Sequence, residues 1–169
     1  MLRKTEEKEY IIEKKDKYNC DDFKKIIMHF NKKLVEFLEE LLKICKENKW
    51  KPEADDIVSG IEFILLSTKI NKSVAISHFA IKVYPYYNFI KNRDERNLIN
   101  QDYSGAVKKM DCDGISKIMK TKKLWLESGT QNKEYIFAAL EYLCYCIVHY
   151  EEVGLTTGYV KKHFNVISA

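Results

Sequence analysis

Between residues 21 and 48, apolar side chains recur at steps of three and four: Phe23, Ile26, Ile27, Phe30, Leu34, Phe37, Leu38, Leu41, Leu42 and Cys45. That spacing keeps one stripe of a 3.6-residue turn apolar, so the segment predicts an amphipathic helix with Asp21 as N-cap, ending near Asn48. Trp50-Lys51-Pro52 breaks the pattern. Proline is tolerated in a first helical turn, so a second helix is expected to follow it, carrying Ile57, Ile61, Ile64 and Leu65 and stopping near Thr68. Asn71 or Ser73 caps a third, with Val74, Ile76, Phe79, Ala80 and Val83 inward. Pro85 lacks a backbone donor, so a kink or short break is expected at Tyr84, with Tyr87, Phe89 and Ile90 continuing the apolar surface. After a glycine-bearing loop at 105–114, Ile118, Met119, Leu124, Trp125 and Leu126 predict a shorter helix ending at Gly129. A last long helix, from about Thr130 to Glu152, follows from Ile136, Leu140, Leu143 and Ile147. Ser128 and Gln131 have capping-box spacing for its start, and Thr130 is an equally good N-cap.

The expected architecture is therefore all-α, a single-domain bundle of five to six helices, one kinked near Pro85. Residues 1–20 read as a charged extension, 21–152 as the helical domain, and 153–169 as a tail packed on or beside the bundle. A chain of 169 residues fits one domain with one core, and burying roughly 70% of its unfolded surface is ordinary at that size. Only 6 Gly and 2 Pro leave little for the tight turns that a sandwich or barrel needs.

Charge changes this picture little. The net +4 is borne almost wholly by Lys, with Arg only at Arg3, Arg93 and Arg96, which argues against direct base readout by bidentate Arg contacts. Met1 to Lys17 has no apolar stretch of signal-peptide type, so the five cysteines are expected as free thiols in a reducing intracellular compartment. No apolar run approaches the roughly 18 residues of a membrane span.

Candidate chemistry is sparse. Cys146 and His149, three apart, share a helix face while Cys144 points elsewhere; His29, His78 and His163 are isolated, so no zinc set is expected and small core cysteines are the better reading. No G-x-S-x-G elbow, phosphate loop or H-E-x-x-H motif is present. The pair Asp94-Glu95, flanked by Arg93 and Arg96, reads as local mutual neutralisation. Neither a catalytic residue nor a cofactor or metal ligand is expected. Two surfaces remain for partners. Lys108, Lys109, Lys117, Lys120, Lys122 and Lys123, opposed only by Asp111 and Asp113, read first as a solvated loop and helix face, and otherwise as a patch for phosphate backbones or an acidic protein. Tyr86 and Tyr87 lead an aromatic cluster with Tyr84, Phe89 and Tyr103 that packs a core or stacks on bases.

Three blocks resemble a family of small helical proteins of nucleocytoplasmic large DNA viruses, the giant-virus group. They are Phe30 to Leu41; Val83 through Pro85, Tyr86, Tyr87, Asp94 and Glu95 to Asp102-Tyr103-Ser104; and Leu124-Trp125 with Asn132-Lys133-Glu134-Tyr135-Ile136. They span roughly residues 21–150. The chain departs from the family at Arg96-Asn97-Leu98, and its first twenty residues lie outside the similarity. The resemblance implies a helical viral protein and supplies no activity to transfer. The expected function is therefore a non-enzymatic structural or interaction protein, such as a minor virion component. Its partners would be viral structural proteins or further copies of itself, in host cytoplasm or virion. The alternative is a nonspecific nucleic-acid-binding accessory protein using the lysine patch.

Overall fold

A computed structural model describes residues 20–100 and 126–157. Among them are six α-helices, a 3-10 turn and no strand, arranged as an all-α bundle. They are α1 (Cys20–Glu47), α2 (Lys51–Ile70), α3 (Val74–Lys82), α4 (Tyr87–Lys91), α5 (Glu95–Asn100) and α6 (Thr130–Thr157), with the 3-10 turn at Tyr84–Tyr86. The lysine patch and the helix expected before Gly129 fall largely outside these residues.

Helix α1 is the organising element. Its apolar stripe buries Ile27, Phe30, Leu34, Phe37, Leu38, Leu41, Ile44 and Cys45, and it packs most extensively on α2 and α6. Ring contacts pair Phe23 with Tyr150, His29 with Tyr142 and Phe37 with Tyr135. As the α1 number rises the α6 number falls, so the two helices run antiparallel. From α6 come Ile136, Phe137, Leu140, Leu143, Cys144, Ile147 and Tyr150. Phe79 of α3 meets Phe30 edge to face at 5.5 Å, closing the core on a third side.

The helix ends show local chemistry overriding residue preference. Helix α1 starts at Cys20, one residue before the expected cap. It ends in a paired motif: Trp50 N donates to Cys45 O at 2.9 Å, and Lys49 N donates to Lys46 O at 3.2 Å. Helix α4 ends the same way, with Asp94 N to Phe89 O at 2.8 Å and Arg93 N to Ile90 O at 3.1 Å. This Schellman arrangement needs a left-handed residue, and Lys49 (φ 57°) and Arg93 (φ 56°) fill positions that usually hold glycine. Holding a Cβ there costs about 1 kcal/mol or more.

Helix α2 runs two residues past Thr68, and its C-cap is Asn71. Asn71 Oδ1 accepts from Ser73 N at 3.1 Å and Ser73 Oγ at 2.9 Å, so both expected cap residues cooperate in the turn before α3. The expected break at Tyr84 is present: α3 stops at Lys82 and Pro85 sits in the 3-10 turn, where no i−4 bond is required. Helix α6 begins at Thr130 with Lys133 N bonded to Gly129 O at 3.0 Å, so the residue before Thr130 holds the capping place. It continues to Thr157, five residues beyond the expected end. Among the described residues no helix is long and apolar enough to cross a membrane.

Candidate functional site

Three surfaces bear on function, and they differ in what their side chains are already doing. The first is the segment from Tyr84 to Asn100. Tyr84 and Tyr87 stack at 5.9 Å, and both pack with Tyr86 against the core while remaining half-buried. Burial pushes both the Tyr84 and Tyr87 phenols above their ordinary range, with Glu151 adding to the effect at Tyr84 and Glu141 at Tyr87. Of the sequence-derived partner residues, only Tyr86 and Tyr87 lie within the described structure, and they serve the core.

Arg93 fastens this segment to α6. Its guanidinium pairs with Glu134 at 3.0 Å and Glu141 at 2.5 Å, donates to Ile90 O at 3.2 Å and lies 5.7 Å over the Phe137 ring. The side-chain bonds to Glu134 and Glu141 raise the Arg93 pKa. Glu95 takes Lys133 at 3.1 Å, and Asp94 caps α5 by accepting from Asn97 N at 3.1 Å. The expected local neutralisation among Arg93, Asp94, Glu95 and Arg96 is therefore corrected. The left-handed turn at Arg93 sends its side chain across to α6, where carboxylates spaced two turns apart receive it.

The second surface is an open groove along the α1/α6 seam. Lys25, Ile26, His29, Tyr142, Tyr145, Cys146 and His149 line a cavity of about 450 Å³. Lys33, Glu36, Phe37, Tyr135, Ala139, Tyr142 and Leu143 line a neighbouring one of about 210 Å³. Tyr142 forms a wall of both, and its hydroxyl hydrogen-bonds to His29 Nε2. The spacing argument had put Cys146 and His149 on one face with Cys144 elsewhere; the first two do line the same cavity, and Cys144 is fully buried. Desolvation raises the Cys146 pKa, and a hydrogen bond from Tyr142 lowers it only in part. Burial pushes Cys144 up strongly and takes Cys45 to about 11, with Glu53 contributing at Cys45. Held as thiols, these cysteines are poor nucleophiles and poor metal ligands near neutrality. No group of three or more His, Cys, Asp or Glu placed to hold a metal occurs among the described residues. The groove offers aromatic walls, two imidazoles and two lysines.

The third surface was not singled out by the sequence reasoning. Helix α2 buries Ala54, Ile57, Gly60 and Ile64. It also exposes Phe63 (39%), Leu66 (63%) and Ile70 (91%), and Ile81 of α3 is exposed at 61%. Leu65, expected to serve the core, is exposed as well. Unlike the tyrosines of the groove, these side chains have no polar end to satisfy in water. The signal was available: the α2 segment is apolar on both faces, a pattern that one buried face does not need.

The chain matches no model of a known protein family, no characterised protein and no solved structure.

Proposed function

We propose that this protein is a non-enzymatic interaction module whose working surface is the outward face of α2. The observation that carries this reading is the exposure of Phe63, Leu66 and Ile70 on a helix already satisfied on its other side. A contiguous apolar stripe left in water is a standing gain for whatever covers it, at about 25 cal/mol per Å². Among the described residues, the buried thiols of Cys45 and Cys144 and the half-buried Tyr84, Tyr86 and Tyr87 support the same reading, since they are occupied in packing. The giant-virus resemblance of the blocks at 30–41, 83–104 and 124–136 supplies the setting: an assembly of viral structural proteins, with the chain as a minor component.

Amine cross-linking of the full chain in its native assembly tests the reading. Lys69, in the last turn of α2, and Lys72, in the turn that follows it, are expected to give inter-chain cross-links that Leu66→Glu abolishes. An assembly that forms equally well with Leu66→Glu, and that yields no cross-link from this end of α2, overturns it. Steeply salt-dependent binding of any DNA or RNA, unaffected by Leu66→Glu, would move the function to Lys108, Lys109, Lys117, Lys120, Lys122 and Lys123.

A further inference from the structure

Resting on that reading, we infer that the occupant of the α2 face is a second copy of this chain, docked antiparallel through α2. At about 100° per residue, Ser59, Phe63, Leu66 and Ile70 fall within roughly 60° of one another, on the side opposite the line of Ile57, Ile61 and Ile64. Their steps of four, three and four are the spacing of a short coiled-coil seam. Along one flank run Glu62 and Lys69, both exposed and seven residues apart, so they lie two turns apart on the same edge of the seam.

Charge selects both the occupant and its direction. A two-fold axis level with Ile64 and Leu65 places Phe63 against Leu66 of the second copy and Ile70 against Ser59 of the second copy, each twice by symmetry. The same register sets Glu62 beside Lys69 of the second copy, again twice. A parallel pairing instead turns Glu62 and Lys69 toward the edge of the second copy that carries Gly60 and Ser67, and leaves both charges without a partner. The register that joins the apolar positions is thus the one that neutralises the flank, and a surface complementary to itself is what a two-fold interface requires. A 20-residue helix is about 30 Å long and about 10 Å wide. An interface limited to that face is at the small end of specific contacts, so a dissociation constant on the order of micromolar is expected.

Sedimentation equilibrium of the full chain, from about 1 μM to several hundred μM, reads the result. The wild type is expected to pass from monomer to dimer, and Leu66→Glu to weaken the dimer more than about tenfold without altering the folded helical signal. Glu62→Lys and Lys69→Glu should each weaken it about three- to tenfold. Mixing the two should restore association as a heterodimer, because each unlike pair then meets its complement. Failure of the mixture to recover, with each variant folded, overturns the antiparallel register. A wild type that stays monomeric overturns the inference, whether hydrogen exchange finds the α2 face bare or finds it covered by another part of the same chain. If such a monomer still gives Leu66-dependent cross-links to a different protein in its native assembly, the interaction reading stands and only the self-docking falls. If neither is seen, both fall.

Discussion

Helices α1 and α2 are neighbours with opposite habits. Helix α1 gathers its large apolar side chains into one stripe, apart from the exposed Met28, and gives most of the rest of its surface to Lys, Glu and Asn. Helix α2 spreads Ile57, Ile61, Phe63, Ile64, Leu65, Leu66 and Ile70 around its circumference, and folding the chain satisfies only one side. The lesson is that periodicity reports how many faces a helix must bury, not which of them its own chain will cover. One helix is finished by the fold, and the other is left with an exposed apolar face.

The comparison can be broken most forcefully in the core. Phe30→Ala and Leu38→Ala on α1, both essentially inaccessible to solvent, are expected to cost about 3–5 kcal/mol each in urea unfolding. Leu66→Ala on α2 should change the dilute monomer's stability by no more than about 0.5 kcal/mol. A comparable loss at both places would erase the distinction.

The thiol of α1 gives a second handle. Cys45 is raised to about 11 in the folded protein from an ordinary value of 9.0, so folding favours the protonated thiol. The stabilisation is full below pH 9, where both states hold the proton. It is lost as pH rises from 9 through 11, because the unfolded chain deprotonates first. A fall of about 2 kcal/mol is expected across that window, and Cys45→Ala should flatten its share of the slope. No such difference would show that Cys45 is wetter than its burial implies.

Smaller effects separate the clamp from its backbone. Arg93→Gly keeps the left-handed turn but removes the bonds to Glu134 and Glu141, and should cost about 1–2 kcal/mol in denaturant melts. Arg93→Lys should recover only part of this, since a point charge cannot span both carboxylates. Lys49→Gly, where the side chain makes no clamp, should raise stability by about 0.5–1 kcal/mol by relieving the same conformation at the end of α1.

These outcomes also mark what was legible in the sequence. The stripes of α1 and α6 were, because a periodicity of 3.6 is written in residue order. So was the break at Pro85, because a missing donor is a local fact. Arg93 was misread, because its partners Glu134 and Glu141 are 41 and 48 positions away and only folding brings them near. The His29–Tyr142 bond, across 113 positions, was hidden for the same reason. The outward seam of α2 was legible as apolar residues but not as a surface, since exposure is decided by where the neighbouring helices stop. Tyr86 and Tyr87 show the converse: side chains that look like a platform in the sequence are spent on packing.

One measurement tests the central claim most directly: the urea midpoint of the wild type and of Leu66→Glu, each followed against protein concentration. If α2 completes itself on a second copy, the wild-type midpoint rises with concentration by mass action, while that of Leu66→Glu stays flat and the two coincide at high dilution. A wild-type midpoint independent of concentration, or a Leu66→Glu midpoint already lower at high dilution, would contradict it.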